Sequence, residues 1–138
     1  MNAMRLAQTL VSNPFFQFAK LGTVNKNSEE HLRLGFDSFL KNHIGTLHAG
    51  ALFTVAQADA HSNLVHALEQ HNPGWKVATY TSQIFYKRPA KGPVWVNTTA
   101  PTMDWEKRVA HTVSTLNSET DEPVAELHIE FRLTQGEL

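Results

Sequence analysis

The amino-acid order points to an α+β domain: one strand, a long central helix, then four strands of a mostly antiparallel sheet curled around that helix. From Lys41 to Gln70 the chain reads KNHIGTLHAGALFTVAQADAHSNLVHALEQ, a polar turn through Gly45 and Thr46 that enters one long run of helix formers. From Trp75 onwards it consists of β-branched and aromatic stretches separated by turn residues. The helix surface says how the two parts meet. At ~100° per residue, Ala49, Phe53, Ala56, Ala60, Leu64 and Ala67 fall on one narrow stripe, and four of those six are alanine. So small a stripe lets the helix axis approach a sheet closely, which favours a sheet that wraps the helix over one that lies flat. Gly50, Gln57 and His61 flank the stripe on one side, and Asp59, Asn63 and His66 on the other.

Taken in order, Ala3 to Leu10 and Phe15 to Lys20 have helical character, with Asn13 placed as an N-cap and Pro14 at the first helical position. Residues 1–30 are therefore expected to form a docking arm that ends in a polar turn over Asn25 to Glu30. From His31 to Phe39 the chain alternates, with Leu32, Leu34 and Phe36 on one side and His31, Arg33 and Asp37 on the other, as in a half-buried first strand. The helix stops near His71-Asn72-Pro73-Gly74. Trp75 to Arg88 reads as the second strand, ended by Pro89, and Lys91-Gly92-Pro93 as the turn of a hairpin into a third strand, Val94 to Met103. Trp105 to Ser118 and Pro123 to Leu133 complete five strands, with turns at Asp104 and over Ser118 to Glu122. No repeat, low-complexity tract or linker interrupts the chain, so residues 1–138 are expected to form a single domain.

Composition bounds the function. A chain of 138 residues buries roughly 70% of its unfolded surface around one core. With 12 basic and 13 acidic residues and no block of like charge, it lacks the footprint of a nucleic-acid binder. The absence of cysteine excludes disulfides and thiolate metal sites, and is compatible with the cytoplasm. The start, MNAMRLAQTLVSNPFF, is interrupted by Gln8, Ser12 and Asn13 and does not read as a signal peptide, and no segment has the length of a membrane span. The expectation is a soluble, cytoplasmic protein without nucleic-acid or membrane partners. Eight histidines invite a metal reading, but His43/His48, His61/His66 and His66/His71 are each five residues apart and no HExxH occurs, so no metal is expected. Dinucleotide, nucleotide and α/β-hydrolase signatures are missing too.

The turn before the helix carries the chemistry. The first N–H groups of a helix have no intrahelical partner, so those near His48, Ala49 and Gly50 could bind a carbonyl oxygen that becomes anionic during acyl transfer. Ala49 and Gly50 permit a close approach. The alternative is structural: Gly50 relieves crowding beneath a strand, His48 caps its own helix, and Asn42 makes a turn.

The segment Asn42-His43-Ile44-Gly45-Thr46-Leu47-His48-Ala49-Gly50, with Tyr86-Lys87-Arg88-Pro89-Ala90 as a weaker second match, resembles hotdog-fold acyl-CoA thioesterases, of the branch similar to phenylacetate-pathway and YiiD-like enzymes. The match covers roughly Leu32 to Leu133. The resemblance implies a sheet wrapped around the helix and a homodimer joined edge to edge with active sites at the interface, with a dimer of dimers as a further arrangement. It implies an acyl-CoA-type thioester as substrate, with coenzyme A entering only as part of it and no separate cofactor. Asn42 would then position the thioester or a water, His48 would hold the loop, and the Ala49 N–H would polarise the carbonyl.

One position departs from that pattern. Relatives carry a carboxylate two turns into the helix as general base or nucleophile, and aligning His48-Ala49-Gly50 without a gap puts Gln57 there. An amide has no useful basicity and can only orient a water. This leaves a weak enzyme, an enzyme whose base lies elsewhere, or a non-catalytic acyl-thioester-binding or regulatory protein. Asp59 lies ~200° from Gln57 around the helix and is expected in a polar row with Asn63 and His66, at a subunit contact or in solvent. His61, one turn beyond Gln57 on the same flank, is a candidate base or a packed residue. Thr79 falls where some relatives have a supporting serine hydroxyl, or is an ordinary strand residue. Lys87, Arg88, Lys91, Lys107 and Arg108 are expected near strand ends, where Arg88 and Lys91 are the first choices to meet coenzyme A phosphates. Dehydration is the weaker enzymatic alternative, because the His-Pro-rich loop of hotdog dehydratases is absent.

Overall fold

The computed structural model describes residues 21–136. Of the arm and turn expected over residues 1–30, residues 1–20 lie outside them. The alternating apolar runs build one antiparallel sheet, and the alanine-rich run builds the helix that the sheet wraps. In chain order the elements are β1 (Gly22–Lys26), β2 (Glu29–Leu34), a short 3-10 turn (Ser38–Leu40), α1 (Ala49–His71), β3 (Trp75–Tyr86), β4 (Val94–Thr98), β5 (Thr102–Asp104), β6 (Val109–Ser118) and β7 (Pro123–Gln135). The strand order is β1-β2-β4-β6-β7-β3, with β5 paired to β6. Leu32 and Leu34 of β2, Val94 and Val96 of β4, Leu116 of β6, and Leu127, Ile129 and Phe131 of β7 lie on the inner face and are fully buried against α1. Among the described residues, no helix is long and apolar enough to cross a membrane.

Among the described residues the sheet has seven strands where five were expected. Strand β1 lies in what was read as arm and turn: its five residues, GTVNK, are too few and too polar to announce a strand. Asn27 and Ser28 both have positive φ, at 52° and 67°, and close a tight β1–β2 hairpin. Strand β2 ends at Leu34, short of Phe39. The expected third strand is cut in two by Thr99-Ala100-Pro101, because proline has no N–H to give to a ladder. The expected hairpin between Trp75–Arg88 and Val94 does not form, since β3 pairs with β7 at the opposite side of the sheet from β4. After β3 the chain runs past the start of β7, where Lys87 and Arg88 N–H both donate to the Val124 carbonyl, at 2.8 and 3.2 Å. A meander does exist, as β4-β6-β7.

The buried face of α1 is Ala51, Leu52, Val55, Ala56, Asp59, Ala60, Leu64 and Leu68. Ala56, Ala60 and Leu64 sit where the stripe put them, but Ala49 is exposed and Phe53 and Ala67 are only half-buried. The face is turned towards β4 and β6 because Asp59, excluded from the stripe as polar, is buried there. The Thr98 hydroxyl donates to Asp59 Oδ2 at 2.5 Å and lies 2.7 Å from Ser114 Oγ, so the carboxyl group enters the core with a partner on β4. Asp59 is 1% exposed, which places it neither in solvent nor in a surface row with Asn63 and His66.

Candidate active site

The site is built first by one side chain. Asn42 Oδ1 accepts the N–H groups of Ile44 and Thr46, both at 3.1 Å, and Asn42 Nδ2 donates to Thr46 Oγ1 at 2.7 Å. Its backbone N–H reaches the Thr46 carbonyl at 2.7 Å, and Gly45, at φ 80°, supplies the left-handed residue that closes the turn. The turn-forming role of Asn42 is therefore present, and its side-chain amide is engaged inside the loop. The loop is also tied outward, because Leu47 N–H donates to the Ala90 carbonyl at 3.0 Å. The two segments that carry the family resemblance thus touch.

The helix begins at Ala49 with His48 as N-cap. His48 makes no side-chain cap bond; its backbone N–H goes to the Leu40 carbonyl at 2.8 Å, and its own carbonyl takes the N–H groups of Ala51 and Leu52. The N–H groups of Ala49 and Gly50 are left facing outward from the helix end, with no bond to a described residue. Crowding does not demand glycine at 50, since a Cβ there would meet nothing within 4 Å. Of the three donors expected, Ala49 and Gly50 are available and His48 is not.

Strand β3 supplies the opposite wall. Tyr80 pairs with Phe131, Ser82 with Ile129, Ile84 with Leu127 and Tyr86 with Ala125, so these four share the face turned to α1. The Tyr86 hydroxyl donates to the Ala49 carbonyl at 3.0 Å, beside the free N–H groups. Burial pushes the Tyr86 phenol pKa up, keeping it a neutral donor. Farther along, Gln57 Nε2 donates to the Tyr80 hydroxyl at 3.1 Å. Tyr80 and Tyr86 remain 44% and 49% exposed, so the cleft between α1 and β3 is open. Tyr86 entered the sequence reading only as the first residue of the Tyr86-to-Ala90 match and Tyr80 not at all, although their even spacing on one strand already put them on one face.

His61 lies on the Gln57 flank with its ring 6.3 Å from that of Phe131, and burial lowers its pKa below 6.5, holding it neutral. It therefore keeps a free lone pair at neutral pH. Thr79 is not in the cleft. A bulge between Val77 and Thr79 pairs Thr79 with outward-facing Arg132, and Tyr80 takes the inward place. The five basic residues do not form one cluster. Lys107 and Arg108 lie in the β5–β6 turn, with the Arg108 guanidinium 5.7 Å from the Trp75 ring, at the other end of β3 from Arg88. Arg88 is bonded to Glu122, whereas Lys91 makes no ion pair among the described residues. Both line a cavity of about 390 Å³ with Gly92, Ser118 and Glu122. Among the described residues no group of three acidic or histidine side chains could hold a metal.

The fold is shared widely. PA5026 from Pseudomonas aeruginosa, a protein of unknown function and probable thioesterase, matches with a TM-score of 0.72 at 23% identity, over 96% of this chain and 94% of that one. The thioesterase HI1161 from Haemophilus influenzae matches with a TM-score of 0.75 at 12% identity, over 98% and 92%. BH2602 from Bacillus halodurans, solved with CoA, matches with a TM-score of 0.69 at 14% identity, over 94% and 82%. No curated protein matches the sequence. The family model for the domain of unknown function DUF4442 matches residues 7–133. A sheet wrapped around one long helix, shared with thioesterase-superfamily structures, and a family match over most of its length together show that this chain is a hotdog-fold member of the DUF4442 family.

Proposed function

We propose that the protein hydrolyses an acyl-CoA-type thioester to the free acid and thiol. The observation that carries this is the open helix start, where the N–H groups of Ala49 and Gly50 point out of a turn held rigid by Asn42. Two such donors stabilise the oxyanion formed when water attacks a thioester carbonyl. Asn42 and His48 act by holding that turn. The attacking water is oriented by the Gln57 amide oxygen, and neutral His61 stands one turn away as the candidate base. Lys91, with Arg88 beside it, meets the phosphates of coenzyme A. That a relative of the same fold was solved with CoA supports the choice of carrier.

Two copies are needed for this site. Gly50 and Gln57 are seven residues apart, roughly 10 Å along one helix, whereas a polarised carbonyl and its attacking water lie within roughly 3.5 Å of each other. A two-fold dimer joined along the outer edge of β3 brings the helix start of one copy towards Gln57 of the other. The twelve residues of β3 form a terminal strand of the sheet, the kind of edge that proteins cover.

A second reading is favoured by one observation, that Gln57 stands where the resemblance leads one to expect a carboxylate: the protein binds acyl thioesters without cleaving them. Thiol release from a panel of short, aromatic and long acyl-CoAs, run beside calorimetric binding, separates the two. Turnover above the uncatalysed rate supports hydrolysis, binding without turnover supports the second reading, and neither would exclude both.

A further inference from the structure

We propose that the cavity between the second half of α1 and the start of β3 receives the acyl group, and that it selects aromatic or medium-chain acyl groups over long ones. This rests on the acyl-thioester reading above. The cavity, about 300 Å³, is lined by Val65 and Leu68 of α1, Pro73 of the connecting turn, and Trp75 and Val77 of β3, with His61 at the end nearest Gln57. His61 follows Gln57 by four residues, about 6 Å along the axis, on the same helix flank. The cavity therefore continues the cleft away from the helix start and begins where an acyl group whose carbonyl lies beside Gln57 would leave the cleft. This holds whichever copy supplies the oxyanion donors.

The lining decides the chemistry. Between His61, which burial keeps neutral, and the exposed pair Glu69 and Lys76 at the far end, every wall residue is apolar, so the interior suits hydrocarbon and disfavours a charged acyl group. Trp75 is braced by the Trp105 ring at 5.1 Å and presents a fixed aromatic wall against which a phenyl ring can pack. The volume stands at the small end of the range for ligand sites, roughly 300–1,000 Å³. A longer chain would emerge between Glu69 and Lys76 into water, where added methylenes gain nothing.

The test is steady-state hydrolysis of straight-chain acyl-CoAs from acetyl to palmitoyl, with phenylacetyl-CoA. Each buried methylene should lower KM about fourfold until the cavity is full, after which the series goes flat. Phenylacetyl-CoA should rank with the medium chains. Val65→Trp, which fills the cavity, should lower the octanoyl-to-acetyl ratio of kcat/KM at least about tenfold, the cost of roughly two lost methylenes. If that variant does not fold, the unmodified protein still answers: octanoyl-CoA should change Trp emission where coenzyme A does not, and Trp75→Phe should abolish the difference. For a protein that binds without turnover, Kd replaces KM throughout. A KM or Kd independent of chain length, a preference for palmitoyl-CoA, or an equal emission response to coenzyme A alone would overturn the assignment while leaving thioester recognition intact. No binding and no turnover at any chain length would instead remove the acyl-thioester reading itself, and this inference with it.

Discussion

Gln57 gives an amide hydrogen to the Tyr80 hydroxyl at 3.1 Å, so the residue in place of the expected carboxylate is held by a phenol from the neighbouring strand. The phenol keeps its own hydrogen for another acceptor, and the amide oxygen of Gln57 stays free for a water. These two residues form one unit and should be tested as one.

Gln57→Glu should raise kcat about tenfold or more, within the ~10²–10⁴ that general-base assistance contributes when placement is good. Tyr80 would then donate to the new carboxylate and hold down its basicity, so adding Tyr80→Phe should raise the rate further. In the parent, Tyr80→Phe alone should lower kcat several-fold with KM little changed, because Gln57 loses its anchor. Strict additivity in this double-mutant cycle would mean that the two side chains act separately.

Lys91→Ala should raise KM for coenzyme A thioesters about tenfold, the size of one lost charged contact, and leave short thioesters without phosphates unaffected. Arg88→Ala should do less, since Glu122 already holds that guanidinium. Equal losses on both substrate types would make the effect structural.

Light scattering should give twice the chain mass, stable to dilution, if β3 pairs with its copy. A monomer at micromolar concentration with full activity would remove the two-copy site.

Stability should fall on acidification. His31 is buried, with Nδ1 3.0 Å from the Val96 carbonyl, and desolvation lowers its pKa below 6.5; burial does the same to His61. Below pH 6.5 the unfolded chain binds protons that the folded chain does not yet take. The contribution is therefore fully present above that pH, is lost as pH falls, and levels off only beneath the folded pKa values. Urea midpoints measured from about pH 7.5 to 5.5 should decline, and His31→Asn, which can keep a donor near Val96, should flatten the slope. An unchanged slope in that variant would clear His31 of the effect.

Much of this architecture was legible in the residues. The long helix, the strands after Trp75 and the turn before Ala49 all show in local periodicity and turn chemistry. What was hidden is non-local. Nothing within Trp75–Tyr86 says that its partner is β7 and not β4, because pairing is decided by how the whole sheet closes around α1. Asp59 was read as a surface group because polarity is the usual guide to exposure, and its bond with Thr98, 39 residues away, shows how it can be buried. The N–H donors of Ala49 and Gly50 followed from helix geometry alone, whereas Tyr80 and Tyr86 needed the strand to be set against the helix.

The bulge at Ala78 gives β3 two phases. Before it the odd-numbered residues Trp75 and Val77 face the helix; after it the even-numbered Tyr80, Ser82, Ile84 and Tyr86 do. Length changes in this strand are therefore not equivalent. Losing Ala78 would restore plain alternation and keep both sets inward, whereas losing a residue away from the bulge, such as Thr81, would turn the residues beyond it outward as a block. The strand is two cassettes joined at a one-residue hinge in register: one lines a cavity and the other presents hydroxyls to the helix, Tyr86 at Ala49 and Tyr80 at Gln57. Substrate range and chemistry can drift apart along this lineage through substitutions on opposite sides of a single alanine.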